Sequence, residues 1–268
     1  MRAIQKLEKA NSAGKYICIG LDTDQAKLPH HLSSAKNPVI EFNKKIIEFT
    51  KDSVAAYKLN LAFYESEGLQ GLKNLEETLS LIPEEVLTIA DGKRGDIGNT
   101  SVMYGRSVYD HFKFDSTTLN PYMGKDSLDP FLSYQEKLNF ILCLTSNPGS
   151  ADFQKQKLHN GMFLYQDVIQ KVNDWNFNSN CGLVFGATNL NELQENIAAV
   201  DNLPLLIPGV GAQGGSLEDI TKLLFTESNT SFLINVSRGI IQKSKGEDFA
   251  EAAKEELDSL NKIVSEQM

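Results

Sequence analysis

Asp91, Lys93 and Asp96, in the run TIADGKRGDIGNT, are the densest group of chemistry-bearing residues in the chain. Side chains two apart on a strand share a face, so Asp91 and Lys93 should project together, while Asp96 lies beyond the strand where the chain turns. Carboxylates that aim an ammonium can make it an electrostatic stabiliser or a proton donor. The same residues could form a salt-bridged cluster at a strand end. Two neighbours weigh toward chemistry, because Asp22 closes the run IGLD and Lys58 stands in AYKLN, so three successive apolar runs end in charge. A second group lies in IPGVGAQGG and INVSRGI, with Gln213, Arg238 and the glycines Gly209, Gly211, Gly214 and Gly215. Glycines let the backbone approach a phosphate closely, and an arginine adds a forked, charged donor. Taken alone, Arg238 could equally form a surface ion pair. GVGAQG also fits the dinucleotide pattern G-x-G-x-x-G, but one further strand and helix are too little for a dinucleotide half-domain.

The elements that must position these residues follow from hydrophobic patterning. Eight apolar runs recur at intervals of roughly 25 to 40 residues, at 16–22, 53–60, 86–93, 116–121, 140–147, 181–187, 204–210 and 231–239. Their near-continuous apolar character suits parallel strands buried on both faces. Amphipathic stretches alternate with them. Val39, Phe42, Ile46 and Phe49 recur at three- and four-residue spacing, and the closing run EDFAEAAKEELDSLNKIV has the same period. Plausible helix caps are Asn99 or Thr100, Asn189 and Ser216. Strand and helix alternating eight times predict an α/β fold of the (β/α)8 TIM-barrel type, one domain over residues 1–268. In such a barrel the charged strand ends and the irregular stretches 23–37 and 122–130 gather at the C-terminal mouth, where barrel active sites lie.

With 268 residues the chain is long enough for one such barrel, which typically takes about 250. A net charge of -9 disfavours nucleic acid as the main partner, although a local basic pocket can still hold one phosphate. Cys18, Cys143 and Cys181 fall in apolar runs and suggest no disulfide framework, which fits a reducing, cytoplasmic setting. No run approaches the roughly 18 apolar residues of a membrane helix. The N-terminal MRAIQKLEKANSAGK reads as a short surface helix. His30, His31, His111 and His159 lack metal-site spacing and read as surface or packing residues.

Asp91, Lys93, Asp96 and Ile97, with Thr100 following, form an Asp-x-Lys-x-x-Asp-Ile motif. With TSNPGS and PGVGAQGG in order, the chain resembles the orotidine 5'-monophosphate decarboxylases over nearly its whole length, in the branch carrying the Lys-Arg-Gly-Asp variant. One departure is Leu59, where that branch suggests a proline. The resemblance implies cofactor-free conversion of orotidine 5'-monophosphate to uridine 5'-monophosphate, the last step of de novo synthesis of that nucleotide, without a metal. It implies Asp22 and Lys58 on the ribose, with Asn60 beside them, and Ser146 on the pyrimidine edge, assisted by Thr145 or Asn147. Gln213 and Arg238 would bind the phosphate under a lid containing Pro208, Gly214 and Gly215. Asp96, Ile97 and Thr100 belong to the same set, with Asp96 and Thr100 reaching the neighbouring subunit of a homodimer.

Loss of carbon dioxide from C6 leaves a carbanion in the ring plane, outside the reach of the π system. A preorganised ammonium on Lys93 can stabilise that charge and then protonate C6. The nearest rival is a sugar-phosphate decarboxylase or aldol-type synthase that shares the Asp-x-Lys-x-x-Asp core and uses magnesium. The other is a catalytically silent nucleotide-binding barrel.

Overall fold

The computed structural model describes residues 1–200, 203–211 and 214–268. Eight parallel strands close into a barrel in chain order, each hydrogen-bonded to the next and β8 back to β1. They are β1 (Ile17–Gly20), β2 (Ala56–Asn60), β3 (Leu87–Arg94), β4 (Ser116–Leu119), β5 (Leu138–Leu144), β6 (Cys181–Phe185), β7 (Leu205–Pro208) and β8 (Phe232–Val236). Every apolar run singled out in the sequence contains or overlaps one of them. Because helices cover the outside and side chains fill the inside, most strand residues are buried on both faces.

Helix α1 (Ala3–Ser12) precedes β1, and α2 (Pro38–Thr50) joins β1 to β2. Between β2 and β3 lie α3 (Leu61–Glu65) and α4 (Gly68–Leu81), and between β3 and β4 lies α5 (Gly98–Gly105), prolonged by a π-helical segment Arg106–His111. The remaining crossovers carry α6 (Asp129–Leu132), α7 (Leu164–Trp175), α8 (Leu190–Glu195), α9 (Ile197–Val200) and α10 (Leu217–Thr226). After β8 come α11 (Arg238–Ile241) and α12 (Phe249–Ser265). Helix α2 turns Val39, Phe42 and Ile46 onto the barrel, and Phe42 stacks on Phe249 of α12 with ring centroids 4.9 Å apart. Among the described residues no helix is long and apolar enough to cross a membrane.

Three local expectations change. Helix α1 is no surface helix, because Ala3 and Leu7 pack with Cys18, Ile89, Phe140 and Leu233 inside the barrel and close its lower end. A part-buried bond of 2.7 Å between Lys6 Nζ and Asp115 Oδ1 holds it there. Helix α5 begins at Gly98 after Ile97, so Asn99 and Thr100 lie inside the helix and cap nothing. The run after Asn189 breaks at Asn196 into α8 and α9, and the Asn189 amide donates to the Thr145 carbonyl instead of capping. Ser216 does cap α10, accepting from the Asp219 N–H at 3.1 Å. All three cysteines are free and buried.

Candidate active site

The C-terminal ends of β1, β2 and β3 bring together an alternating row of charge. Lys58 Nζ lies 3.5 Å from Asp22 Oδ1 and 3.0 Å from Asp91 Oδ2, and Lys93 Nζ lies 2.7 Å from Asp91 Oδ1. The order Asp22, Lys58, Asp91, Lys93 leaves each inner charge between two opposite ones. Burial pushes the Lys58 ammonium toward losing its proton, but Asp91 and Asp22 outweigh it and hold its pKa above the ordinary lysine value. Burial likewise opposes ionisation of Asp91, yet Lys58 and Lys93 hold its carboxyl well below the usual carboxylate range. Lys58 and Asp91, removed from water, are stable in the row only because each is paired, whereas Lys93 at its end is about half exposed. Beneath it, burial pushes the Cys18 thiol up to about 12, so it stays neutral.

Lys93 stands in an unusual backbone. Its φ of 48° is left-handed, which costs a residue with a Cβ about 1–2 kcal/mol. The cause lies in the pairing of β3 with β4, where Ala90 faces Thr117 but Arg94 faces Leu119, so β3 advances four residues while β4 advances two. Asp91, Gly92 and Lys93 fill the resulting bulge, a device that re-aims side chains beside active sites. The Lys93 backbone N–H donates to Thr118 Oγ1 at 2.9 Å, and the Thr118 hydroxyl donates to Asp91 Oδ1 at 2.8 Å. Arg94, next in the motif, turns away to pair with Glu65 of α3 and lies over the Tyr104 ring of α5. It anchors the loop rather than entering the row.

These residues line a cavity of about 420 Å³, within the usual range for small-molecule sites. Asp22, Lys58, Asn60, Asp91 and Lys93 form one side, and Thr145, Ser146, Pro208 and Arg238 belong to the rest of its wall. Asn60 Oδ1 also caps α3 by accepting from the Ala62 N–H at 3.2 Å. The Ser146 loop is fixed by Gln154, whose Oε1 accepts from the Thr145 N–H at 2.7 Å, and by Thr188, whose hydroxyl donates to the Ser146 carbonyl at 3.3 Å. Gly209 and Gly211, with φ of 99° and 71°, carry the chain from β7 over the opening.

The structure does not bring every expected residue into this wall. Asp96, Ile97 and Thr100 lie outside it on the rim, and Asp96 Oδ1 accepts from the Ile97 N–H at 2.8 Å, with no ion pair among the described residues. Gly214 and Gly215 belong to the β7 loop but not to the wall; Gly215 packs on Ala187, where a Cβ would approach to 2.5 Å. Gln213 lies outside the described residues. Among the polar wall residues that sequence reasoning missed are Thr118, Asn235, Ser237 and Glu256. Thr118 was read only as part of a strand, and Asn235, 9% exposed at the end of β8, leaves its buried Oδ1 without a hydrogen-bond partner. The signal for Asn235 was a polar residue inside the apolar run FLINV, whereas Thr118 stands in the polar run STTL, where nothing local sets it apart.

The model of the Orotidine 5'-phosphate decarboxylase / HUMPS family matches residues 15–255. An orotidine 5'-phosphate decarboxylase of Dehalococcoides mccartyi is 46% identical over 269 aligned positions, covering 97% of this chain and 98% of the relative. Among solved structures, an OMP decarboxylase of Leishmania donovani superposes with a TM-score of 0.83 at 34% identity, over 99% of this chain and 100% of that one. A putative orotidine-monophosphate-decarboxylase of Toxoplasma gondii gives a TM-score of 0.85 at 33% identity, over 98% and 97% of the two chains. The chain belongs to the Orotidine 5'-phosphate decarboxylase / HUMPS family.

Proposed function

From that membership we propose that the protein is an orotidine 5'-monophosphate decarboxylase, releasing carbon dioxide to give uridine 5'-monophosphate, the last step of de novo synthesis of that nucleotide. The row Asp22–Lys58–Asp91–Lys93 at the cavity wall carries the reading. Full-length relatives named for this activity favour it over the sugar-phosphate chemistry that shares the Asp-x-Lys-x-x-Asp core. Asp91, one of the motif carboxylates that a magnesium site would use, is engaged by Lys58 and Lys93.

The bond from C6 to the carboxylate breaks and its electron pair stays on C6. The Lys93 ammonium lowers the energy of that charge as it develops, then gives C6 a proton and regains one from solvent. Asp91 aims the ammonium. Lys58 neutralises Asp91 from its other side and, with Asp22 and Asn60, meets the ribose hydroxyls. Ser146 and Thr145 meet the pyrimidine edge. Arg238 binds the phosphate together with the β7 loop, including Pro208, Gln213, Gly214 and Gly215. Phosphate held away from C6 supplies binding energy that acts at the reacting ring. No cofactor takes part in this scheme.

A homodimer with shared sites belongs to the same reading, with Asp96 and Thr100 reaching the partner's cavity and Ile97 beside them in the substrate-binding set. Support comes from exposed apolar side chains on the rim that carries them: Ile97, Met103, Tyr122, Met123 and Phe153. Ser101 Oγ of α5 donates to the Ser127 carbonyl at 2.6 Å, which joins α5 to the segment after β4, and the Tyr122 and Phe153 rings lie 6.1 Å apart. Buried free cysteines suit the reducing cytoplasm, where we place the enzyme. The test is the fall in ultraviolet absorbance as orotidine monophosphate is consumed. Wild-type protein should turn it over in excess chelator and Lys93→Ala should not; a Lys93→Ala variant with wild-type kcat would remove that lysine from the mechanism.

A further inference from the structure

A threonine hydroxyl has one hydrogen to give and two lone pairs. At Thr118, buried to 1% exposure on β4, both capacities are assigned by geometry. The Lys93 N–H can only donate, so at 2.9 Å the Thr118 oxygen must accept, and its hydrogen is left to point at Asp91 Oδ1, 2.8 Å away. That same carboxylate oxygen receives the Lys93 ammonium at 2.7 Å. The bonds therefore close a ring that runs from the backbone of Lys93 through Thr118 and Asp91 to the tip of the same side chain. In the bulge of β3 the Lys93 N–H sits where the β3–β4 register is interrupted, and Thr118 accepts it there. A left-handed lysine would otherwise relax toward extended backbone, and its ammonium would swing with it.

We propose that Thr118 is a positioning residue for decarboxylation: its hydroxyl holds Lys93 in the left-handed bulge and fixes the Asp91 oxygen that aims the ammonium. The inference rests on Lys93 being the proton donor. Thr118 acts through Lys93 and Asp91, to which both of its hydrogen bonds go. A valine keeps the shape and removes both bonds, whereas a serine keeps both bonds and removes a methyl group.

The experiment compares wild type, Thr118→Val, Thr118→Ser and Lys93→Ala for kcat and KM on orotidine monophosphate, for uridine monophosphate affinity and for Tm. Thr118→Val should lose roughly 10- to 100-fold in kcat, the scale of a misplaced catalytic group, with product affinity little changed. Thr118→Ser should recover most of the rate. Wild-type kcat in Thr118→Val, or a serine variant as slow as the valine one, overturns the proposal. If the valine variant does not fold, Thr118→Ala replaces it in the same comparison with serine. A wild-type protein inactive on orotidine monophosphate, or an active Lys93→Ala, would instead strike the underlying reading. A crystal structure of Thr118→Val separates the two without turnover: Lys93 should leave positive φ, and a lysine still left-handed with Nζ on Asp91 would overturn the positioning role.

Discussion

Gly186, just past β6, lies so close to Ser146 that a Cβ on it would come within 2.6 Å of the Ser146 backbone nitrogen. The Ser146 loop can reach the cavity wall only because position 186 has no side chain. Gly186→Ala should destabilise the protein by about 1–3 kcal/mol through overpacking and should weaken uridine monophosphate binding, because the loop must retreat. Thermal unfolding and product titration check this, and a variant with native Tm and native affinity would show that the loop yields without consequence.

The Lys58–Asp91 pair sets a pH dependence. The Asp91 pKa is lowered in the folded protein, so its stabilising contribution is fully present above the unfolded value of about 3.9 and is lost as pH falls toward the lowered one. The Lys58 pKa is raised, so its contribution is present below about 10.4 and is lost as pH rises through the folded value. Lys58→Met should cost up to about 3–5 kcal/mol near neutrality, since it removes the buried partner of Asp91 Oδ2 and leaves Lys93 as the only cation on that carboxylate among the described residues. It should also move the acid unfolding midpoint upward, because Asp91 then takes its proton at higher pH. Circular dichroism across an acid titration measures the midpoint, and an unmoved one would mean that Asp91 does not depend on Lys58.

Arg238, at the far side of the cavity wall, should act only through the phosphate. For orotidine monophosphate, Arg238→Ala should lower kcat/KM by roughly 2–4 kcal/mol in transition-state terms. Orotidine without the phosphate should react equally slowly with wild type and variant. Equal loss on both substrates would place Arg238 in support of the fold or of Lys93.

The rim position of Asp96 bears on subunit sharing. Lys93→Ala and Asp96→Ala should each be inactive alone, while a mixture allowed to exchange subunits should recover activity, because one site per mixed dimer then carries both residues. No recovery, with exchange shown by mass, would confine Asp96 to its own chain.

The barrel and the first layer of chemistry were legible in the chain itself. Eight buried runs such as CGLVF at β6 need only local composition to read as strands, because a strand buried on both faces must be apolar along its length. Asp91 and Lys93 declared themselves by two-residue spacing, and Asp22 and Lys58 by standing at strand ends. What the tertiary structure decided depends on partners distant in sequence. Thr118 meets Lys93 across 25 residues, and the bulge that turns Lys93 to positive φ exists only in the pairing of β3 with β4. The start of α5 at Gly98, against the Asn99 and Thr100 caps, places a helix end that local side-chain preference alone did not locate. Leu7 shows the same limit, since its spacing marks a helix face but only barrel closure supplies the open end that the face fills. Hydrophobic period is a property of neighbouring residues, whereas register and hydrogen-bond partnership arise when segments tens of residues apart are brought into contact.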